Sequence, residues 1–297
     1  MIIKYISMIK YKYMIKVFQE MEKFNYVIIK GEVLSLQAYG EYGMRSSSDI
    51  DILVSKDDLI YVEKILFKNG FKKHSCSRKD EVFLLSSSHQ VMSWFKEIEP
   101  WGTIEIDLNF DIFWGEYSGE KINIKEFLKN SIKYNIYNAN IKALPPLKSF
   151  IQLVLHTYKD INSIFLLAVR KKINRNSFKD IYNLWKNNIE EININDLYFI
   201  SLKYNIIPYV YYILYFTNMI YNDCNLEKYI IKFYTAEGEK MLNYYGLDMS
   251  EKHEWKIDFF SRIECEDIFE IIKQDLSDKD FKKIDINKRI FFNDDNR

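Results

Sequence analysis

Two periods of hydrophobic repetition divide this chain, one of two residues in its first half and one of three to four in its second. Residues 27–30 (VIIK) form a short apolar run stopped by Gly31, after which Val33, Leu34, Gln37 and Ala38 recur at helical spacing, so a strand feeds directly into a helix. A polar loop through Ser46, Ser47 and Ser48 leads into DIDILV (49–54). That segment alternates acidic and apolar side chains and then becomes wholly apolar, as a strand entering a core does. Ser55, with Asp58 three residues on, reads as a helix N-cap; Leu59, Val62 and Leu66 follow on one stripe, and Gly70 stands where a C-terminal glycine belongs. VFLL (82–85) and QVMSWF (90–95) read as two sheet segments joined by SSSH. In TIEIDLNFDIF (103–113), Ile104, Ile106, Leu108, Phe110 and Ile112 fall on one face and Glu105, Asp107, Asn109 and Asp111 on the other, a strict period of two.

From Pro145 and Pro146 onward the period lengthens. Phe150, Leu153, Val154, Thr157 and Ile161 share a helical stripe, and helical runs are predicted over 177–187, 195–221 and 225–243. The proline pair suits a helix start after an extended linker, which places a domain boundary near 144: residues 1–143 as an α+β domain and 144–297 as an all-helical one. The N-terminal run MIIKYISMIKYKYMIKVF is apolar, but lysines at 4, 10, 12 and 16 interrupt every candidate core segment of a signal peptide. It reads as an amphipathic helix lying on the first domain, in preference to a basic membrane-surface helix. The last forty or so residues read as helical and charged, with FFNDDNR fraying at the end.

Composition changes this picture little. Apolar residues make up 48% and charged residues 28%, the balance of a globular protein. Lysine plus arginine equals aspartate plus glutamate at 42 each, so no overall field draws in nucleic acid by counterion release. Cys76, Cys224 and Cys265 are odd in number and lack any CxxC spacing, which argues against a disulfide framework or a zinc site and fits a reducing cytoplasm.

The candidate chemistry lies in the acidic strands. Asp49 and Asp51, one residue apart in a strand, project from the same face with Cα atoms roughly 6.5 Å apart. Two such aspartates and a third carboxylate from a neighbouring strand supply the oxygen ligands that hard divalent cations need. The acidic face of residues 105–111 offers that third group. Asp107 is preferred, with Glu105 as competitor, and Asp111 is read as a solvated strand position.

These residues match a known pattern. KGEVLSLQAYGEYGMRSSSDIDILVSKDD, followed by a helix ending in NGF, resembles the uncharacterised nucleotidyltransferase family of the DNA polymerase beta-like superfamily. The likeness continues through EIDLNFDIFW and weakly through LHTYKD and FKDIYNLW. It implies a nucleotidyltransferase-type mixed sheet with flanking helices plus an all-helical C-terminal domain that binds the acceptor. By the same resemblance, Asp49 and Asp51 bind two Mg2+ ions, while Asp107 binds the catalytic ion and helps deprotonate the acceptor hydroxyl. Attack on the α-phosphorus of an NTP, expected to be ATP, releases pyrophosphate and leaves a nucleoside monophosphate on a small molecule, peptide or protein.

Two positions depart from the pattern. Gly31-Glu32 replaces Gly-Ser, so phosphate binding must rely on backbone N–H groups at the helix start and on cations such as Lys30 or Arg45. Lys30, Gly31 and Arg45 are therefore the expected substrate-binding residues, Arg45 being a guanidinium expected to pair with the aspartates or with phosphate. Asn109 stands where the family commonly has a histidine. A non-catalytic, antitoxin-like binding protein of the same fold and an RNA-modifying toxin are the rival readings. His156 is read as buried and hydrogen-bonded in preference to a cleft-facing group, while His74, His89 and His253 show no partner spacing. The aromatic run at 209–216 is read as core rather than as a base-stacking platform.

Overall fold

The computed structural model describes residues 2–45, 47–248 and 252–292, so Ser46 and the terminal residues 293–297, where fraying is expected, lie outside the described residues. The chain opens with α1 (Ile2–Met21), β1 (Tyr26–Ile29), α2 (Gly31–Tyr39), β2 (Asp49–Val54), α3 (Leu59–Lys68) and a two-residue β3 (Lys72–Lys73). It continues through α4 (Arg78–Ser87), β4 (Trp94–Ile98), β5 (Gly102–Asn109), α5 (Ile124–Phe127), β6 (Ile132–Ile136) and β7 (Ala139–Ala143). These seven strands form one mixed sheet in the order β3-β4-β5-β2-β1-β7-β6. The β2–β5 and β1–β7 pairs are parallel, and the other four are antiparallel.

Because side chains alternate along a strand, each strand feeds two cores. Ile50, Ile52 and Val54 of β2 and Ile104, Ile106 and Leu108 of β5 pack with Met14, Val17, Phe18 and Met21 of α1 and with Val62 and Leu66 of α3. Full burial of a side chain such as Phe18 contributes about 1.5–3 kcal/mol, and this seam makes the predicted N-terminal amphipathic helix part of the fold. On the opposite face, Val27, Ile29 and Leu53 join Leu34 and Ala38 of α2 and the helices that follow. Asp49, Asp51, Glu105 and Asp107 belong, by alternation, to that second face.

The second half runs α6 (Pro146–Asn162), α7 (Ile164–Arg170), α8 (Arg175–Asn187), α9 (Ile194–Lys203), α10 (Ile207–Tyr221), α11 (Cys224–Phe233) and α12 (Ala236–Met241). A small hairpin, β8 (Tyr244–Tyr245) and β9 (His253–Glu254), precedes α13 (Phe259–Glu264), α14 (Ile268–Ile272) and α15 (Asp278–Phe292). Residue 144 falls between β7 and α6, and one apolar cluster crosses it, joining Leu34 and Ala38 to Phe150, Val154, Phe178 and Leu184. Asn187 and Asn188 donate to the carbonyls of Ala38 and Gln37 at 2.7 and 2.9 Å, tying α8 to the end of α2. The aromatic run of α10 is core, with Tyr211, Tyr212 and Phe216 all buried. Among the described residues, no helix is long and apolar enough to cross a membrane.

Several local expectations are corrected. VFLL is not a strand but part of α4, whose N-cap Ser77 accepts from the Asp80 N–H at 3.2 Å. In QVMSWF only Trp94 and Phe95 join β4, while Gln90 makes an isolated bridge to Asn109. Ser55 does not cap α3; its hydroxyl donates to the Asp58 carboxylate at 2.7 Å, and a turn intervenes before the helix begins at Leu59. β5 stops at Asn109, and Ile112 leaves the cluster that holds Leu108 and Phe110 for the opposite core. The predicted runs 195–221 and 225–243 are each broken: Asn205 takes φ 54° ahead of Pro208, and Thr235 starts a new helix by accepting from the Gly238 N–H. Proline and left-handed backbone end a helix even where apolar periodicity continues.

Candidate active site

The site begins at the corner between β1 and α2. Lys30 and Gly31 are consecutive residues with positive φ, 59° and 46°, a conformation glycine adopts freely and lysine only under constraint. The corner delivers the Lys30 ammonium to Asp51, Nζ to Oδ1 3.1 Å. Asp51 is buried, and Asp49 is half-buried beside it. Ser47 donates to the carboxylate and carbonyl oxygens of Asp49 at 3.1 and 2.9 Å, holding the start of β2.

The parallel pairing of β2 with β5 sets Asp51 opposite Asp107 and Asp49 opposite Glu105. One carboxylate oxygen from each of Asp49, Asp51 and Asp107 lies within 4.8 Å of the others, and no other such group of three or more is found among the described residues. Glu105 is instead drawn to His74, 3.3 Å away, so the geometry places Asp107, not Glu105, with the pair. Ser93 donates to Asp107 at 2.5 Å. Burial pushes Asp107 up to about 6, the nearby Asp51 charge adding to it and the Ser93 bond opposing it. Burial raises Asp51 as well, against the pull of Lys30. Three carboxylates with one ammonium among them, two of them resisting ionisation, form a donor set that a divalent cation fits.

The triad opens into a cleft of about 500 Å³ whose far wall comes from the helical half. On that wall α6 supplies His156, Lys159 and Asp160, α7 supplies Arg170 and α8 supplies Asp180. Arg45 lines the cleft and pairs with neither Asp49 nor Asp51, which corrects the first of the two pairings expected of it, with the aspartates or with phosphate. Its Nε is 3.1 Å from Asp180, whose other oxygen accepts from Tyr39 at 2.5 Å. Glu32 is buried and accepts the Gly43 N–H at 2.6 Å, which folds the loop after α2 back onto the helix start. Gly43 has φ 79° and approaches Lys4 so closely that a Cβ would sit 2.8 Å from its side chain. The acidic residue in place of serine is thus a loop brace and does not line the cleft.

Asp111 is corrected from a solvated position to a buried one, accepting from the Phe113 N–H at 3.0 Å and pairing with Lys121 at 2.9 Å. Asn109 is buried and donates to the Asp107 carbonyl at 3.3 Å. His156 lies 3.2 Å from Asp160, the hydrogen-bonded state expected of it, and also faces the cleft. His89, His74 and His253 have partners after all, in Lys159, Glu105 and Asp280. Sequence reasoning missed Lys159, His89 and Asp180. Lys159 and His89 are 70 residues apart and Arg45 and Asp180 are 135 apart, so no local spacing announces either pair.

A search of curated proteins finds no match. Among solved structures, the chain is similar to an antigenic nucleotidyltransferase-like protein from Paracoccidioides brasiliensis, at 14% identity and a TM-score of 0.35, covering 59% of this chain and 75% of that one. A family model described as uncharacterised nucleotidyltransferase matches residues 8–222, a span that takes in the carboxylate triad, the Lys30–Gly31 corner and helices α6 to α10. The chain belongs to that uncharacterised nucleotidyltransferase family.

Proposed function

We propose that the chain transfers a nucleoside monophosphate, with AMP the expected group, from a nucleoside triphosphate to a hydroxyl of a small molecule, peptide or protein. The observation that carries the reading is the convergence of the Asp49, Asp51 and Asp107 carboxylates within 4.8 Å at the mouth of a cleft. These three residues would hold two divalent ions, Mg2+ by the family resemblance. Such ions, when bound, neutralise triphosphate oxygens and lower the pKa of an attacking hydroxyl.

The chain's own residues set up the transfer. Asp107, whose carboxyl is raised by burial to about 6, takes the proton of the acceptor hydroxyl. The acceptor oxygen bonds to the α-phosphorus as the bond to the β-phosphate oxygen breaks, and pyrophosphate leaves with that electron pair. Lys30 and the N–H groups that open α2 face the phosphates, and Arg45 borders the same cleft. The part from residue 144 onward, through α6, α7 and α8, builds the acceptor side. Balanced net charge favours a small or peptidic acceptor over RNA.

The test is incubation of the protein with labelled NTPs, Mg2+ and cell extract. Label enters one fraction with the wild type and not with Asp51→Asn; incorporation that persists in the variant overturns the reading.

A further inference from the structure

The two cations the sequence offers for phosphate are both engaged by carboxylates: Lys30 by Asp51 and Arg45 by Asp180. The serine the wider superfamily uses is replaced by Glu32, which is turned to Gly43. The opposite wall holds a different set. Lys159 on α6 places Nζ 3.2 Å from His89 Nε2 and 3.7 Å from Asp160. Its side chain is 13% exposed and lines the same cleft as the triad. Burial holds His89 well below its ordinary range, so the ring is neutral and accepts from the ammonium. Asp160 Oδ2 is taken by Arg170 at 2.5 Å and His156 at 3.2 Å, while Asp160 Oδ1 is buried without a hydrogen bond. Across the cleft Lys30 repels Lys159 and Asp51 attracts it.

We propose that Lys159, steadied by His89 and Asp160, is the phosphate-tail site of this chain, binding the β- and γ-phosphates of the triphosphate in place of the missing serine. The site is built before any ligand arrives. His89 reaches it from the loop between α4 and β4, and Lys159, His156 and Asp160 come from one face of α6, so the two halves of the chain meet there. An anion between Lys30 and Lys159 relieves their mutual repulsion and accepts the ammonium N–H groups not given to His89. Burial draws Lys159 down to about 8, which leaves it cationic at neutral pH. The inference rests on the transferase reading for the identity of the ligand, not for the existence of the anion site.

Calorimetric titration with inorganic tripolyphosphate, with and without Mg2+, tests it on the full chain. Lys159→Met is expected to weaken tripolyphosphate binding by about tenfold or more, the loss of one charged hydrogen-bonding partner. Lys159→Arg should retain affinity within about threefold, and AMP binding should be unchanged in both, with unaltered melting temperatures certifying the fold. Asp51→Asn should still bind tripolyphosphate without Mg2+, so the site can stand even if label transfer fails. Wild-type protein that does not bind tripolyphosphate, or a Lys159→Met variant that binds it as tightly as wild type or loses AMP in parallel, overturns the proposal.

Discussion

Asp51 and Asp107 are register partners on the parallel strands β2 and β5, and the Asp51 charge adds to the burial that raises Asp107's hold on its proton. Two acids buried side by side destabilise the free protein in the way expected of a site kept for a ligand rather than for the fold. Asp107→Asn should therefore lower label transfer by on the order of 10²–10³ while raising the melting temperature at pH 7.5 by a few degrees. Differential scanning calorimetry beside the transfer assay checks both. A variant that is inactive because it is less stable contradicts the assignment.

The same pair fixes a pH dependence. The Asp107 carboxyl is raised from 3.8 to about 6, so between those values the folded protein holds a proton that the unfolded chain has released. Stability from this group is full below about 3.8 and is lost as pH rises through 6. The melting temperature of metal-free wild type should accordingly fall more between pH 4.5 and 7 than that of Asp107→Asn. Binding of Mn2+, which needs the ionised carboxylate, should weaken below pH 6. Parallel melting curves for the two proteins across that window would count against the shift.

Asp180 accepts from both Tyr39 and Arg45, joining α8 to the end of α2 and to the loop that enters β2. Asp180→Ala leaves a guanidinium and a phenol without their partner and should cost about 3 kcal/mol in urea unfolding. The Arg45→Ala and Asp180→Ala effects should be non-additive by about 1–2 kcal/mol in a double-mutant cycle. Strict additivity would show the contact to be energetically idle.

Glu32 is the residue that looked most damaging to activity in the sequence. Since its carboxylate holds the Gly43 N–H, Glu32→Gln should keep the loop and the activity. Glu32→Ala should lose about 1–3 kcal/mol of stability and about 10- to 100-fold in transfer, as Arg45 and Asp49 shift. Equal behaviour of the two variants would remove the brace from the account.

The acidic strands were legible because their meaning is local: a period of two puts Asp49 with Asp51, and Glu105 with Asp107, before any fold is known. Asp107 was preferred over Glu105 on the family resemblance; the physical reason, Glu105 drawn to a histidine 31 residues away while Asp107 joins the pair, is not local in sequence. The strand reading of Val82–Leu85 failed because a four-residue apolar run is ambiguous between strand and helix. The Ser77 and Asp80 spacing, a helix-start signature, was the available signal against it. Arg45 was rightly seen as needing an anion, but its partner lies on a helix 135 residues away. Lys159 was invisible for a similar reason: a lysine beside an aspartate on a helix reads as surface until α6 is packed against the sheet.

The central claim is that three aspartates grip divalent cations against a triphosphate. A crystal structure with Mn2+ and a non-hydrolysable ATP analogue, measured at the manganese edge, tests it most directly. The account predicts anomalous density bounded by the carboxylates of Asp49, Asp51 and Asp107, with the analogue's phosphates reaching toward Lys159. Bound analogue with no anomalous density among the three aspartates, or Lys30 still seated on Asp51 in place of a metal, would contradict it.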